Sequence, residues 1–323
     1  MPEIIYKGKA YPGEQDETVL DTLCRHDVHV PFSCRAGNCH TCMLHCLEGE
    51  VTTASQDNLK PALKLLNYFL PCQCVPTGDL EVDLPDEEDV YVSARLVEKQ
   101  QLSPSVWRFS LEAAVPVFYH AGQFLNLKND QGWVRSYSLA SLPTEDEAME
   151  IQVKRMPDGE MSHWLIDEFS PGMHIEIEGP HGHCLYTNDS PQRSILCIGT
   201  STGLAPLIGI VRDALHQGHS GDIHLYHGVR TREELYLHES LKDMAAQHDN
   251  LHYHACVSGD DAGEGFKHGR ASELALEEHP DLKGWQVFLC GAPEMVQKTR
   301  MKAYLAGATM NDISADAFTT PEH

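Results

Sequence analysis

The sequence predicts a multidomain chain in which a cysteine-rich module, a module of antiparallel strands and a parallel α/β module follow one another. Three observations predict it. Seven of the eleven cysteines (Cys24, Cys34, Cys39, Cys42, Cys46, Cys72 and Cys74) precede residue 75. Residues 92–180 are dominated by short strand-like runs such as Val106–Leu111, Gln123–Leu127 and His174–Ile177. From about Ser194, the strand-like runs Ile195–Ile198, Ile223–Tyr226, Leu251–Val257 and Val287–Cys290 alternate with helix-length segments, the pattern of a parallel sheet. A length of 323 residues suits two or three domains of about 100 residues better than one core. The expected boundaries are 1–91, 92–190 and 191–323. The acidic run Pro85–Asp89 opens a linker over about 85–91, since it lacks apolar periodicity.

Composition removes several function classes. Asp and Glu total 48 against 24 Lys and Arg, a formal net charge of −24, which argues against a nucleic-acid partner needing a basic footprint. The charge names no partner by itself, because it serves solubility equally well. No apolar stretch approaches the roughly 18–20 residues of a membrane span. The opening MPEIIYKGKA lacks the charged and apolar regions of a secretory signal, so a reducing cytoplasm is the expectation. Many cysteines in a long chain of that kind point to metal or redox work rather than disulfides.

In the first module, Cys34-Arg-Ala-Gly-Asn-Cys39-His-Thr-Cys42 has the C-x4-C-x2-C spacing of a plant-type [2Fe–2S] site. Thiolates suit iron because soft sulfur matches it and neutralises ferric charge. Gly37 stands where a tight loop needs positive φ, which would turn backbone N–H groups toward the cluster sulfurs. Zinc also accepts four thiolates, but Cys72-Gln-Cys74 makes a poor knuckle. A Rieske centre needs a Cys-x-His that Cys39-His40 does not provide. Cys24 and Cys46 read as small buried hydrophobes. The segment resembles plant-type ferredoxins, which implies an α+β β-grasp fold and a fourth ligand after a gap of 29 residues from Cys42, in a Leu-x-Cys stretch. Leu70-Pro71-Cys72 matches, which favours Cys72 over Cys74.

The second module carries Arg135-Ser-Tyr137-Ser138 on a strand after Gly122-Gln-Phe124, then Gly159-Glu-Met161-Ser162 opening an expected helix over Met161–Glu168. Together these resemble the flavin domain of the ferredoxin–NADP reductase superfamily, which implies an antiparallel six-stranded β-barrel holding a flavin. The resemblance puts Arg135 on a phosphate, Tyr137 against the flavin, Ser138 near the reacting N5 and Ser162 at a helix N-terminus on the phosphates. Lys154 is a further candidate contact. His181 and His183, in Gly179-Pro-His-Gly-His183, read as solvated histidines in a turn.

The third module opens with Ile198-Gly199-Thr200-Ser-Thr202-Gly203-Leu-Ala-Pro206, a glycine-containing turn between strand and helix of the kind that approaches a pyrophosphate. Ser201 stands where a middle glycine is expected. Tyr226–Arg230 and Cys290-Gly291-Ala-Pro-Glu-Met295 end later strands, at the edge where ligands of such sheets collect. These stretches resemble the nicotinamide domain of the same superfamily, which implies Cys290 beside the nicotinamide and a C-terminal residue covering the flavin. Phe318 matches the latter, with a surface tail Thr319–His323 as the alternative. Arg230 and Arg232 lie near a possible 2′-phosphate position, although the balance tilts to NADH.

Ferredoxin, flavin and nicotinamide modules in this order resemble the reductase components of bacterial multicomponent oxygenases. The resemblance implies an NAD(P)H-dependent oxidoreductase passing electrons through FAD and the [2Fe–2S] cluster to an oxygenase. Its docking partner would present a basic patch to the acidic first module. Two other readings stay open: a reductase of a deoxysugar or other non-oxygenase system, and a flavin or ferric reductase without a dedicated protein partner. A ferredoxin-like carrier whose later modules bind no nucleotide is the rival from outside enzymology.

Overall fold

The computed structural model describes residues 2–259 and 263–319; most of the alternative C-terminal tail, residues 320–323, lies outside them. The first module is a five-stranded mixed sheet ordered Lys9–Pro12, Glu3–Tyr6, Leu80–Asp83, Leu44–Glu48, Tyr68–Phe69. Helix Val19–Arg25 starts at Thr18, whose hydroxyl oxygen accepts from the Asp21 amide at 3.1 Å. It buries Val19, Leu20 and Leu23 in the core with Ile4, Leu44 and Val82. The acidic stretch expected as a plain linker is more ordered than that. Glu87–Val90 forms a helical turn, and the Tyr68 hydroxyl donates to Asp89 at 3.0 Å and accepts the Asp86 amide at 3.3 Å.

The second module is a six-stranded antiparallel sheet ordered Met149–Lys154, Val106–Ala113, Val92–Ser103, His174–His181, Phe124–Lys128, Val134–Ser138. Phe109 and Leu111 on one face are buried in this module's core while Arg108 and Ser110 on the other are partly exposed, and Val106 on that second face packs instead with the third module's core. The expected barrel is met by a curled sheet: its two edges join at one isolated bridge, Leu139 to Ile151, with no continuous closing ladder among the described residues. The chain leaving Ser138 makes this join, with the Leu139 amide donating to the Gln123 carbonyl and the Ala140 amide to the Glu150 carbonyl on the opposite edge strand. Helix Glu160–Asp167 begins one residue earlier than the sequence suggests and packs Met161, Trp164 and Leu165 against this core.

The third module is an all-parallel sheet ordered Lys267–His268, Leu251–Val257, Ile223–Val229, Ile195–Thr200, Gln286–Gly291, Ile313–Ala317. Its central strand is buried from Ile195 to Gly199 because helices cover both faces. No described helix is long and apolar enough to cross a membrane.

Candidate active site

The cluster loop is built by an unusual backbone. Arg35 (φ 50°), Gly37 (φ 73°) and His40 (φ 58°) are left-handed, so the chain doubles back and aims amides inward. The amides of Ala36 and Cys39 point at Cys34 Sγ, each at 3.4 Å, and the Cys34 amide points at Cys39 Sγ at 3.5 Å. Cys34 pairs with Cys39 and Cys42 with Cys72 through their thiols. The thiol of Cys39, then the backbone amides, hold Cys34 below the usual thiol range. Cys72 is held low by Cys42, the Gln73 side chain and the Gly37 amide. These four cysteines are therefore brought together. Cys74 is fully buried in the hydrophobic core, where its carbonyl accepts the Val19 amide at 2.8 Å.

A cavity of about 1140 Å³ lies where the three modules meet, with Cys34 and Cys39 contributing from the first. The second module contributes Arg135, Tyr137 and Ser138, which reach the cavity because Val134–Ser138 is the edge of its sheet. Lys154, Gly159, Met161 and Ser162 also line it. Arg135 donates to the Val134 carbonyl at 2.7 Å, and Lys154 lies 3.6 Å from Glu234. The Ser162 hydroxyl donates to the Gly159 carbonyl at 2.8 Å and accepts the Met156 amide at 3.1 Å.

The third module adds Thr202, Asp316 and Phe318 to the wall. Ser138 donates to Asp316 at 2.9 Å, and desolvation pushes the Asp316 carboxyl up to about 6. The Phe318 amide bonds the Gly291 carbonyl at 2.8 Å. Ser201, standing where a middle glycine was expected, takes the glycine-like φ of 52° itself. The turn is locked to the neighbouring strand, because a Cβ on Gly203 would lie 2.2 Å from the Cys290 carbonyl oxygen and one on Gly291 would lie 2.3 Å from Thr200 Oγ1. Cys290 is fully buried, its Sγ 3.8 Å from that of Cys184. Burial drives its thiol well above the usual range. Gly199, Thr200, Gly203, Pro206, Gly291 and Met295 do not line the cavity, nor does the buried Cys290, while Arg230 is exposed and its amide donates to Glu234 at 3.0 Å.

Comparison with known families matches residues 4–77 to the 2Fe-2S iron-sulfur cluster binding domain, 93–186 to the oxidoreductase FAD-binding domain and 197–301 to the oxidoreductase NAD-binding domain. The chain is 34% identical over 311 residues to the ferredoxin–NAD(P)+ reductase component of the naphthalene 1,2-dioxygenase/salicylate 5-hydroxylase systems of a Ralstonia species, covering 94% of both chains. The chain belongs to the [2Fe–2S] flavoprotein reductases of oxygenase systems. This reductase is also 33% identical to the reductase subunit of an Amycolatopsis aromatic O-demethylase, over 90% of each chain. Its fold matches the crystal structure of the Amycolatopsis cytochrome P450 reductase GcoB with a TM-score of 0.70 and 30% identity, covering 98% of this chain and 99% of that one.

As a family member the reductase is an NAD(P)H-dependent oxidoreductase with a [2Fe–2S] cluster and FAD, and its residues fit those groups. Four thiols with amides donating to two of them suit a cluster. The cavity exceeds the roughly 300–1,000 Å³ of an ordinary small-molecule site, as a dinucleotide requires. Two cations, Arg135 and Lys154, and the helix start at Gly159–Ser162 suit its phosphates. When bound, the flavin would supply the chemistry of accepting one hydride, two electrons with a proton, and passing the electrons on singly.

One sequence expectation fails. His183 is exposed, but His181 is not a solvated turn residue: it is 7% exposed and bonds Glu178 at 2.6 Å. Strand His174–His181 runs through this position, with an irregularity in register between Glu178 and His181. With His40, these side chains bring potential ligand atoms within 4.8 Å of one another. Sequence reasoning also missed Asp316 and Asn126. Asp316, a carboxylate in the alternating run Ile313-Ser-Ala-Asp-Ala, left a faint signal; Asn126, inside an apolar strand, left another.

Proposed function

We propose that this reductase takes electrons from NADH and delivers them, through FAD and then the cluster, to the oxygenase component of a bacterial multicomponent system. The observation that carries the reading is the single cavity lined jointly by the cluster loop, the Arg-x-Tyr-Ser strand and the C-terminal strand of the third module. Cys34, Cys39, Cys42 and Cys72 hold the cluster in this reading. Arg135, Lys154, Gly159, Met161 and Ser162 hold the flavin phosphates and their surroundings, and Tyr137 packs on the ring. Ser138 lies beside the reacting atoms with its hydroxyl donating to Asp316, Cys290 backs that position from the buried end of its strand, and Phe318 covers the flavin. Gly199, Thr200, Thr202, Gly203, Pro206, Arg230, Gly291 and Met295 shape the nicotinamide side. The module boundaries near residues 91 and 190 belong to the same reading, with the family matches supporting them.

The acceptor is an oxygenase component with a basic docking patch, in the cytoplasm. Residues 1–92 carry 16 Asp and Glu against 6 Lys and Arg, so the module from which electrons leave is acidic. Anaerobic stopped-flow spectroscopy tests the reading. NADH should bleach the flavin first and the cluster second, NADPH should do so more slowly, and an oxygenase encoded beside this protein should reoxidise both. Failure of NADH to reduce the bound flavin would overturn it.

A further inference from the structure

A buried polar row crosses three strands of the second module at one register. Asn126 pairs with Ser136 on one side and with Glu178 on the other. Ser136 donates to Asn126 Oδ1 at 2.7 Å, and Asn126 Nδ2 donates to Glu178 Oε2 at 2.7 Å. The same Nδ2 donates its second proton to the backbone carbonyl of Cys39 in the first module, again at 2.7 Å. Asn126 is 1% exposed, so both N–H groups and its carbonyl are committed.

The row returns to the first module by a second route. His181 bonds Glu178 Oε2 at 2.6 Å, and its ring centroid lies 4.2 Å from that of His40. Two consecutive residues of the cluster loop, Cys39 and His40, are thus gripped by main chain and by ring. His40 is held in the left-handed region at φ 58°, a conformation a non-glycine residue keeps when its surroundings over-determine it. Glu178 already accepts from Asn126 and His181, so the trio with His40 acts as a clamp rather than a cation site. Ser136, at the far end of the row, lies between Arg135 and Tyr137 on the cavity strand.

We infer that Asn126, Glu178 and His181 are positioning residues that fix the cluster loop against the flavin strand and so set electron transfer from flavin to cluster. The inference rests on the electron path proposed above. A buried polar network at a module seam contributes little net stability over an apolar seam, but it specifies one geometry because every alternative leaves groups unpaired. Lys60, whose ammonium donates to the Gly179 carbonyl at 2.9 Å, supports the same seam from its rim.

The test is Asn126→Leu in the holoenzyme, with His181→Phe as the milder variant that keeps a ring against His40. Expected in Asn126→Leu are normal iron and flavin content, flavin reduction by NADH within about twofold of wild type, and an unchanged cluster midpoint potential. Cluster reduction should slow about tenfold or more, since small misplacements of reacting groups have large rate effects. Hydrogen exchange at residues 38–41 should quicken. His181→Phe should show a smaller slowing, and it decides the matter if Asn126→Leu loses a cofactor. Wild-type cluster reduction in a fully loaded variant would overturn the inference. Loss of flavin reduction by NADH in the wild type would instead sink the proposed electron path and leave the seam's role a separate question.

Discussion

The cluster end and the hydride end of the cavity are organised in opposite ways. At the cluster end, three of four thiols come from nine consecutive residues, and neighbouring amides already point at the sulfurs. At the hydride end, Ser138 and Asp316 are 178 residues apart and belong to different modules, while Cys290 sits fully buried. The difference follows from chemistry. A metal cluster is permanent and its ligands can be assembled once by a short loop. Nicotinamide must enter, react and leave, which suits the proposed placement of its site across a seam between two modules.

The sharpest way to break this comparison is at the cluster. Cys72→Ser should lose most of the iron and the visible cluster absorbance, whereas Cys74→Ser should keep both and cost only core packing. The reverse result would mean that local assembly has been assigned to the wrong thiol.

Flavin retention bears on the ground between the two ends. A charge-assisted bond from Arg135 to a phosphate is worth about 1.5–3 kcal/mol, so Arg135→Ala should weaken flavin binding by roughly tenfold or more. Equilibrium dialysis measures it, and chromatography of the released cofactor should show FAD. Unchanged retention would take Arg135 out of the site.

At the hydride end, Ser138→Ala and Cys290→Ala should each slow flavin reduction several-fold with the cluster spectrum intact. Asp316 adds a pH signature. Its carboxyl rises from an ordinary 3.8 to about 6 in the fold, so the fold favours the protonated form. That contribution is fully present below about 3.8 and is lost as pH rises through about 6. Asp316→Asn should therefore gain about 1–3 kcal/mol of stability at pH 8 and none at pH 4, measured by chemical denaturation. It should also erase any inflection near pH 6 in the rate of flavin reduction. A wild-type profile in the variant would break the Ser138–Asp316 coupling.

The smallest expected effect concerns docking. Electron transfer to the acceptor should slow as salt rises from about 20 to 500 mM, while flavin reduction by NADH changes much less. A flat profile for the partner step would return the acidic charge to a role in solubility.

The same contrast explains what could be read without coordinates. The 2Fe-2S domain was legible because one loop carries the Cys34–Cys39–Cys42 spacing, and the strand runs were legible because burial imposes period two or unbroken apolar stretches. Ser201 was flagged where a glycine was expected, but only the backbone shows that serine accepts the left-handed turn there. Asp316 was not legible, because its meaning depends on Ser138 across a seam. His181 was misread as a solvated turn histidine because nothing in Gly-Pro-His-Gly-His announces that His40, 141 positions earlier, packs against it.

The grip on Cys39 and His40 also bears on hybrid redox chains. Grafting a foreign iron–sulfur module onto residues 92–319 preserves Asn126, Glu178 and His181 but replaces the loop they hold. A donor loop without a ring after its second ligand cysteine would leave the buried His181 ring without its packing partner and open a gap at the seam, even though Glu178 keeps Asn126 and His181. Compatible donors would be those whose residue at that one position tolerates a left-handed backbone and carries an aromatic or imidazole side chain. A panel of chimeras can therefore be sorted on a single residue before any is expressed.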